Sequence, residues 1–144
     1  MKTSQTGINL IAEFEGCRTT AYFDTGGVLT IGYGHTGKEL KKGMIWTKEH
    51  CVQQLSADLA SRESILTHFL DGILTTQNQF DALICLGFNI GMGALHTSDA
   101  FKYHCRGQYD RAANAFMNWT HDNGSVVVGL VRRRKAEKTL YAAL

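Results

Sequence analysis

Hydrophobic positions near the N-terminus recur at helical spacing. Ile8, Ile11 and Ala12 stand at i, i+3 and i+4 and share one face of a helix predicted over residues 5–17. Glu15 completes that series at i+7, whereas Glu13 falls on the other side, near Asn9 and Gly16. The two glutamates therefore meet different surroundings. Glu13 faces water, and Glu15 closes the apolar stripe where the helix meets the protein body. Gly16 lets the helix stop. Residues 20–36 then read AYFDTGGVLTIGYGHTG. Aromatic and β-branched residues around a Gly-Gly pair predict an antiparallel hairpin or three short strands. So small a sheet must pack on something helical.

Helical periodicity returns at Thr47, a candidate N-cap without a full capping box. Val52, Leu55, Leu59, Ile65, Leu66 and Phe69 supply the apolar positions of a long helix, with a bend or break expected near residues 61–64. Residues 76–89 predict a nearly fully buried helix ended by Gly91 and Gly93. Two amphipathic helices are expected over 97–105 and 108–119, then a turn at Asn123-Gly124 and a basic C-terminal helix, LVRRRKAEKTLYAAL. The fold class is α+β, mainly α, in one domain over 1–144. It comprises the N-terminal helix 5–17, a small antiparallel β-lobe over about 18–46, a connecting helix over about 47–66 and a helical lobe over about 67–144. Two lobes joined by a long helix leave a cleft, where substrates usually bind.

Composition narrows the function classes. The chain has 144 residues, 44% of them hydrophobic and 19% charged, with a net charge of only +2, which fits a soluble globular domain. It has no apolar run of eighteen residues, so no stable membrane insertion is expected. The N-terminal stretch has no apolar core ending in a small-residue cleavage site. Synthesis in the cytoplasm without a secretory signal is the expectation. Cys17, Cys51, Cys85 and Cys105 form no CxxC pair and have no His at ligand spacing, so no metal and no cofactor are expected. The cysteines read as buried or half-buried thiols; the alternative is one or two disulfides formed after export. Arg132, Arg133, Arg134, Lys135 and Lys138 form a basic cluster suited to anionic polymers. No aromatic platform accompanies it, which argues against nucleic acid as partner.

The acids suggest a chemistry. Glycosidic hydrolysis needs one carboxylic acid to protonate the leaving oxygen and a second, ionised carboxylate to activate water or attack the sugar. Burial and hydrogen bonding give two such groups their different roles. Glu15, on the apolar face, fits the acid. Asp24, in a polar turn before Gly26 and Gly27, fits the second carboxylate. The residues alone leave plainer readings open: Glu15 could pair with Arg18 at i+3, and Asp24 could be only a turn residue.

The stretch EGCRTTAYFDTGGVLTIGYGH resembles the active-site segment of the phage-type lysozymes, glycoside hydrolase family 24, whose pattern is Glu, eight residues, Asp, five residues, Thr. Glu15, Asp24 and Thr30 stand at that spacing. QFDALICLGFNIGMGAL resembles the family's central helix and RAANAFMNWTHDNGSVVVGLVRRRKAEKTLY its closing segment, so the resemblance covers about residues 8–144. It implies a lysozyme-like two-lobed fold and hydrolysis of the β-1,4 bond between N-acetylmuramic acid and N-acetylglucosamine in peptidoglycan. In that reading Glu15 is the general acid, Asp24 the second carboxylate, and Thr30 helps place the water for inversion at the anomeric carbon. Asn89, Arg133 and Arg134 are candidate substrate-binding residues, one arginine reaching the acid or the sugar. The plainer reading of the arginines is a basic helix face near solvent. His35 is read as structural, and Trp46 and Trp119 as packing residues. The resemblance further implies a monomeric endolysin, reaching the cell wall with the help of a holin. Alternatives are a lytic transglycosylase on the same bond and a cell-wall-binding or secreted effector module of the same fold.

Overall fold

The computed structural model describes residues 1–144. Helix α1 spans Gln5–Glu15, two residues shorter than predicted. Gly16 stops it by turning to φ 69°, a region costly for residues with a side chain, while its N–H still reaches Ala12 O. The chain then enters the sheet. Strands β1 (Arg18–Phe23), β2 (Leu29–Gly32) and β3 (His35–Thr36) lie in the order β1-β2-β3, all antiparallel. Tyr22 faces Thr30 and Phe23 faces Leu29, with an irregularity between Arg18 and Tyr22. The segment before α2 runs along the other edge of β1, where Trp46 N donates to Thr19 O at 2.8 Å. Of the two arrangements expected, a hairpin or three short strands, the three-stranded one is present, and the free edge of β1 is covered.

Helix α2 runs unbroken over Lys48–Phe69, capped by Thr47, whose Oγ1 accepts from His50 N at 3.1 Å. The expected break near 61–64 does not occur. No Gly or Pro interrupts the segment, and Leu55, Leu59 and Leu66 hold one buried stripe across it. His35 ties the sheet to this helix: its Nδ1 lies 2.8 Å from Asp58 and its Nε2 2.7 Å from Glu39.

Helix α3 (Gln77–Ile90) has a complete capping box between Thr76 and Gln79 and is buried from Gln79 through Gly87. It forms the centre of the helical lobe. Leu83, Leu86, Phe80 and Ile84 join Ile11, Leu59, Phe116 and Tyr141 in a single core. Gly91 ends α3 as predicted but also opens a short helix, α4 (Met92–Thr97), that was not expected. Helices α5 (Asp99–Cys105) and α6 (Tyr109–Ala115) follow, the latter continued by a 3-10 turn over Phe116–Asn118. Strands β4 (His121–Asp122) and β5 (Ser125–Val126) form a minimal hairpin turned by Asn123 at φ 50° and Gly124 at φ 79°. Helix α7 (Val128–Ala142) closes the chain against α3 and α1. No helix is long and apolar enough to cross a membrane. All four cysteines are free thiols; Cys51 and Cys85 are buried, Cys17 and Cys105 half-buried.

Candidate active site

Helical phase places the two N-terminal glutamates. Glu13 is exposed, whereas Glu15 is half-buried at the last turn of α1. Arg18 does not pair with Glu15. Its guanidinium stacks on the Tyr22 ring 4.1 Å from the centroid, because β1 carries it away from the helix end. The partner of Glu15 is Arg133 of α7, whose Nη1 donates to Glu15 Oε1 at 2.7 Å. On the other side of the carboxylate lies the turn between β2 and β3. A Cβ at Gly34 would stand 4.0 Å from Glu15 Oε2.

Arg133 and Arg134 are not a solvent-facing basic surface; both are buried. Between them lies Glu137, fully buried on the same helix. Arg133 Nε donates to Glu137 Oε2 at 3.2 Å, and Arg133 Nη2 to the Cys85 carbonyl at 3.1 Å. Arg134 Nη2 donates to Glu137 Oε2 at 3.2 Å and to Asn89 Oδ1 at 2.8 Å. Arg134 Nε lies 2.8 Å from Glu137 Oε1, close enough for an ion pair but off the angle of a hydrogen bond. The result is one chain of contacts, Glu15–Arg133–Glu137–Arg134–Asn89. Burial opposes the charge on Arg133, yet Cys85, Glu15 and Glu137 together outweigh that and raise its pKa. Burial lowers the pKa of Arg134, with Glu137 opposing. Burial also pushes the Glu137 carboxyl up, with both guanidinium groups pulling it back.

Glu15 and Asn89 open on a recess of about 400 Å³ that also takes in Val127, Leu130 and Arg133. Asn89, Val127 and Leu130 are shared with a second recess of about 500 Å³, which runs on to Trp119 and His121. Trp119 thus both packs on the core and lines this groove. Trp46 does only the former, stacked on His50 at 4.2 Å. Beyond Gly34, a third recess of about 320 Å³ lies between β3 and α2, edged by His35, Asp58 and Arg62.

Asp24 and Thr30 lie in the β-lobe, outside these recesses, and are joined to each other through Val28. Asp24 is exposed at the β1–β2 turn. Its Oδ1 accepts from Gly26 N and Val28 N, both at 2.9 Å, so Oδ2 is left free. Thr30 is buried, and its Oγ1 donates to Val28 O at 2.9 Å, which leaves the hydroxyl lone pairs available as acceptors. The structure thus joins Glu15, Arg133, Arg134 and Asn89 in one cluster, and Asp24 with Thr30 in another. No group of three or more His, Cys, Asp or Glu side chains is arranged to hold a metal.

The chain matches the phage lysozyme family model over residues 12–137. It belongs to that family. The chain is 40% identical to the endolysin of Bacillus phage B103 across 98% of its own length and 54% of that relative's. It is 39% identical to the endolysin of Acyrthosiphon pisum secondary endosymbiont phage 1, across 98% of both. It thus spans about half the length of the Bacillus phage relative and nearly all of the other. Among solved structures, the muramidase domain of SpmX from Asticaccaulis excentricus superposes with a TM-score of 0.91 at 37% identity, over 99% of both chains. The α+β, mainly helical two-lobed lysozyme fold is therefore that of the family.

Family resemblance pointed to Arg133 and Arg134, but Glu137 went unnoticed. A signal for it exists. Leu130, Arg133, Arg134, Glu137 and Tyr141 follow helical spacing on one face, so the charged residues occupy positions where a packed helix ordinarily carries apolar ones. Opposite charges at i+3 and i+4 on that face mark a buried ion network rather than a solvated surface.

Proposed function

We propose that this chain is a muramidase that hydrolyses the β-1,4 bond between N-acetylmuramic acid and N-acetylglucosamine of peptidoglycan, acting in cell lysis as an endolysin. The observation that carries the reading is the half-buried Glu15 carboxylate, clasped by a buried arginine and opening on a long groove. Glu15 delivers its proton to the leaving glycosidic oxygen. Asp24 takes the second role. Backbone N–H groups fix one of its oxygens, and the other is free to draw a proton from water. The Thr30 hydroxyl, with its hydrogen committed to Val28 O, accepts from that water and orients it. Attack from the face opposite the leaving group gives inversion. Asn89 and Trp119 line the glycan groove, Arg133 and Arg134 serve it from beneath, and His35 holds the β-lobe to α2. The enzyme acts as a monomer, without cofactor, on the cell wall after synthesis in the cytoplasm. A holin-type membrane lesion gives it access.

Glu15→Gln tests the reading. Glutamine keeps the shape and can still accept from Arg133, but it cannot donate a labile proton. Turbidity clearing of exposed peptidoglycan should fall by about 10²–10⁴-fold with the melting temperature preserved. Clearing at the wild-type rate overturns the assignment. Mass spectrometry of the products should find reducing muramic acid ends; anhydro ends would instead identify a transglycosylase.

A further inference from the structure

We propose that Glu137 is a positioning residue for the reaction: by gripping the Arg133 and Arg134 guanidinium groups it fixes the Glu15 carboxylate and the Asn89 amide at the groove. The inference rests on reading Glu15 as the acid.

Glu137 touches neither recess, being fully buried on α7. Its position nevertheless decides what the groove presents. The Arg133 guanidinium is a rigid fork. Its Nε is held by Glu137 and its Nη2 by the Cys85 carbonyl, so Nη1 has one place to point, at Glu15. Arg134 is held by Glu137 alone, through Nη2 and the Nε ion pair, and the same Nη2 occupies Asn89 Oδ1. That contact sets the amide orientation, leaving the Asn89 Nδ2 hydrogens to donate into the groove.

Charge gives Glu137 a second effect. Arg133 and Arg134 flank it on α7; Cys85 faces it from α3, and Glu15 of α1 is reached through Arg133. Exposed Glu13 and Arg132 stand at the rim of the recess and oppose one another. Burial pushes the Cys85 thiol well above its ordinary range, so it adds no charge. The two carboxylates, Glu15 and Glu137, thus face the two guanidinium groups of Arg133 and Arg134. The anion at Glu137 absorbs part of the Arg133 charge. Without it, Arg133 is left with Glu15 as its one carboxylate partner and holds that group more strongly, against the proton transfer it must make.

The test is the pH profile of Glu137→Gln on soluble glycan strands. The basic limb of kcat should move to lower pH by about one unit. In an Arg133→Gln background, Glu137→Gln should move the limb by less than half as much, since the link is gone. KM should rise several-fold in Glu137→Gln, but not further in an Asn89→Ala background. Should Glu137→Gln fail to fold, Glu137→Gln/Arg134→Gln removes one buried anion and one buried cation together, and an acidward limb shift of the same sign but smaller size is expected. A uniform loss of rate with both limbs in place overturns the proposal, as does an equal shift in the Arg133→Gln background. The Glu15→Gln result is read separately: clearing by that variant sinks the acid assignment itself, whereas its inactivity with an unmoved Glu137→Gln profile sinks only this one.

Discussion

At position 34 the backbone has φ 84°, a region that costs a residue with a Cβ about 1–2 kcal/mol. The turn it makes brings the β-lobe against Glu15, where a methyl group would stand 4.0 Å from Oε2. That contact is ordinary, so the strain rather than a clash decides the outcome of Gly34→Ala. The turn relaxes, and the β-lobe shifts relative to the acid. We expect a stability loss of about 1–2 kcal/mol and a drop in turnover on the order of tenfold. A thermal melt and a clearing assay check both; wild-type values in each would refute the role of this turn. Residue-scale chemistry was only partly legible in the sequence. Periodicity separated Glu13 from Glu15 because helical phase alone decides which one meets the body. The partner of Glu15 lies 118 positions along the chain, so no local pattern could indicate it, and the nearby Arg18 was a false candidate. The tie from Asp24 through Val28 to Thr30 is a turn geometry that spacing does not reveal.

Among the elements, long periodic helices were legible and short ones were not. Helices α2 and α3 carry their own caps and buried stripes, so their sequences state them. Helix α4 has six residues and begins at the glycine that ends α3, so its Gly-rich start read only as a stop. How α1 docks was also hidden. Ser4 donates its hydroxyl hydrogen and its N–H to the fully buried Asp81 of α3, while its Oγ weakly caps α1 at Gly7 N. The helices meet closely because position 7 has no side chain. A Cβ there would lie 2.8 Å from Asp81 Cγ and 2.6 Å from Thr3 Cγ2. Two effects oppose each other in Gly7→Ala. Helix propensity favours alanine by about 1 kcal/mol. Overpacking against a buried, hydrogen-bonded carboxylate costs about 1–3 kcal/mol and threatens the Ser4 contacts as well. The clash should win, for a net loss of about 1–2 kcal/mol by chemical denaturation. An increase in stability would show that α1 can slide on α3 at little cost.

For the whole molecule, two histidines bend stability in opposite directions with pH. His104 is fully buried between Thr75 and Tyr141, with its Nδ1 2.6 Å from the phenol and its Nε2 2.9 Å from the Thr75 hydroxyl. Burial lowers its pKa from 6.5 to about 4. Between those values the unfolded chain binds the proton and the native state does not, so stability rises with pH across that window. The upper bound on this contribution is about 3 kcal/mol, reduced by whatever screening water provides. His35 runs the other way. Burial opposes its charge, but the hydrogen bonds to Glu39 and Asp58 outweigh burial and raise its pKa above 6.5. Its contribution is complete below 6.5 and disappears as pH climbs through the raised value. The helical lobe therefore resists acid poorly, and the clasp between the β-lobe and α2 weakens in alkali. Stability should peak between the two windows. Denaturation of His104→Gln at pH 4.5 and 6.5 should show a flatter acid slope than wild type. His35→Asn should flatten the decline between pH 6.5 and 8.5. An unchanged acid slope in His104→Gln would show that this buried imidazole does not set the acid limb, and an unchanged decline in His35→Asn would show that the lobes are held by packing rather than by this ion pair.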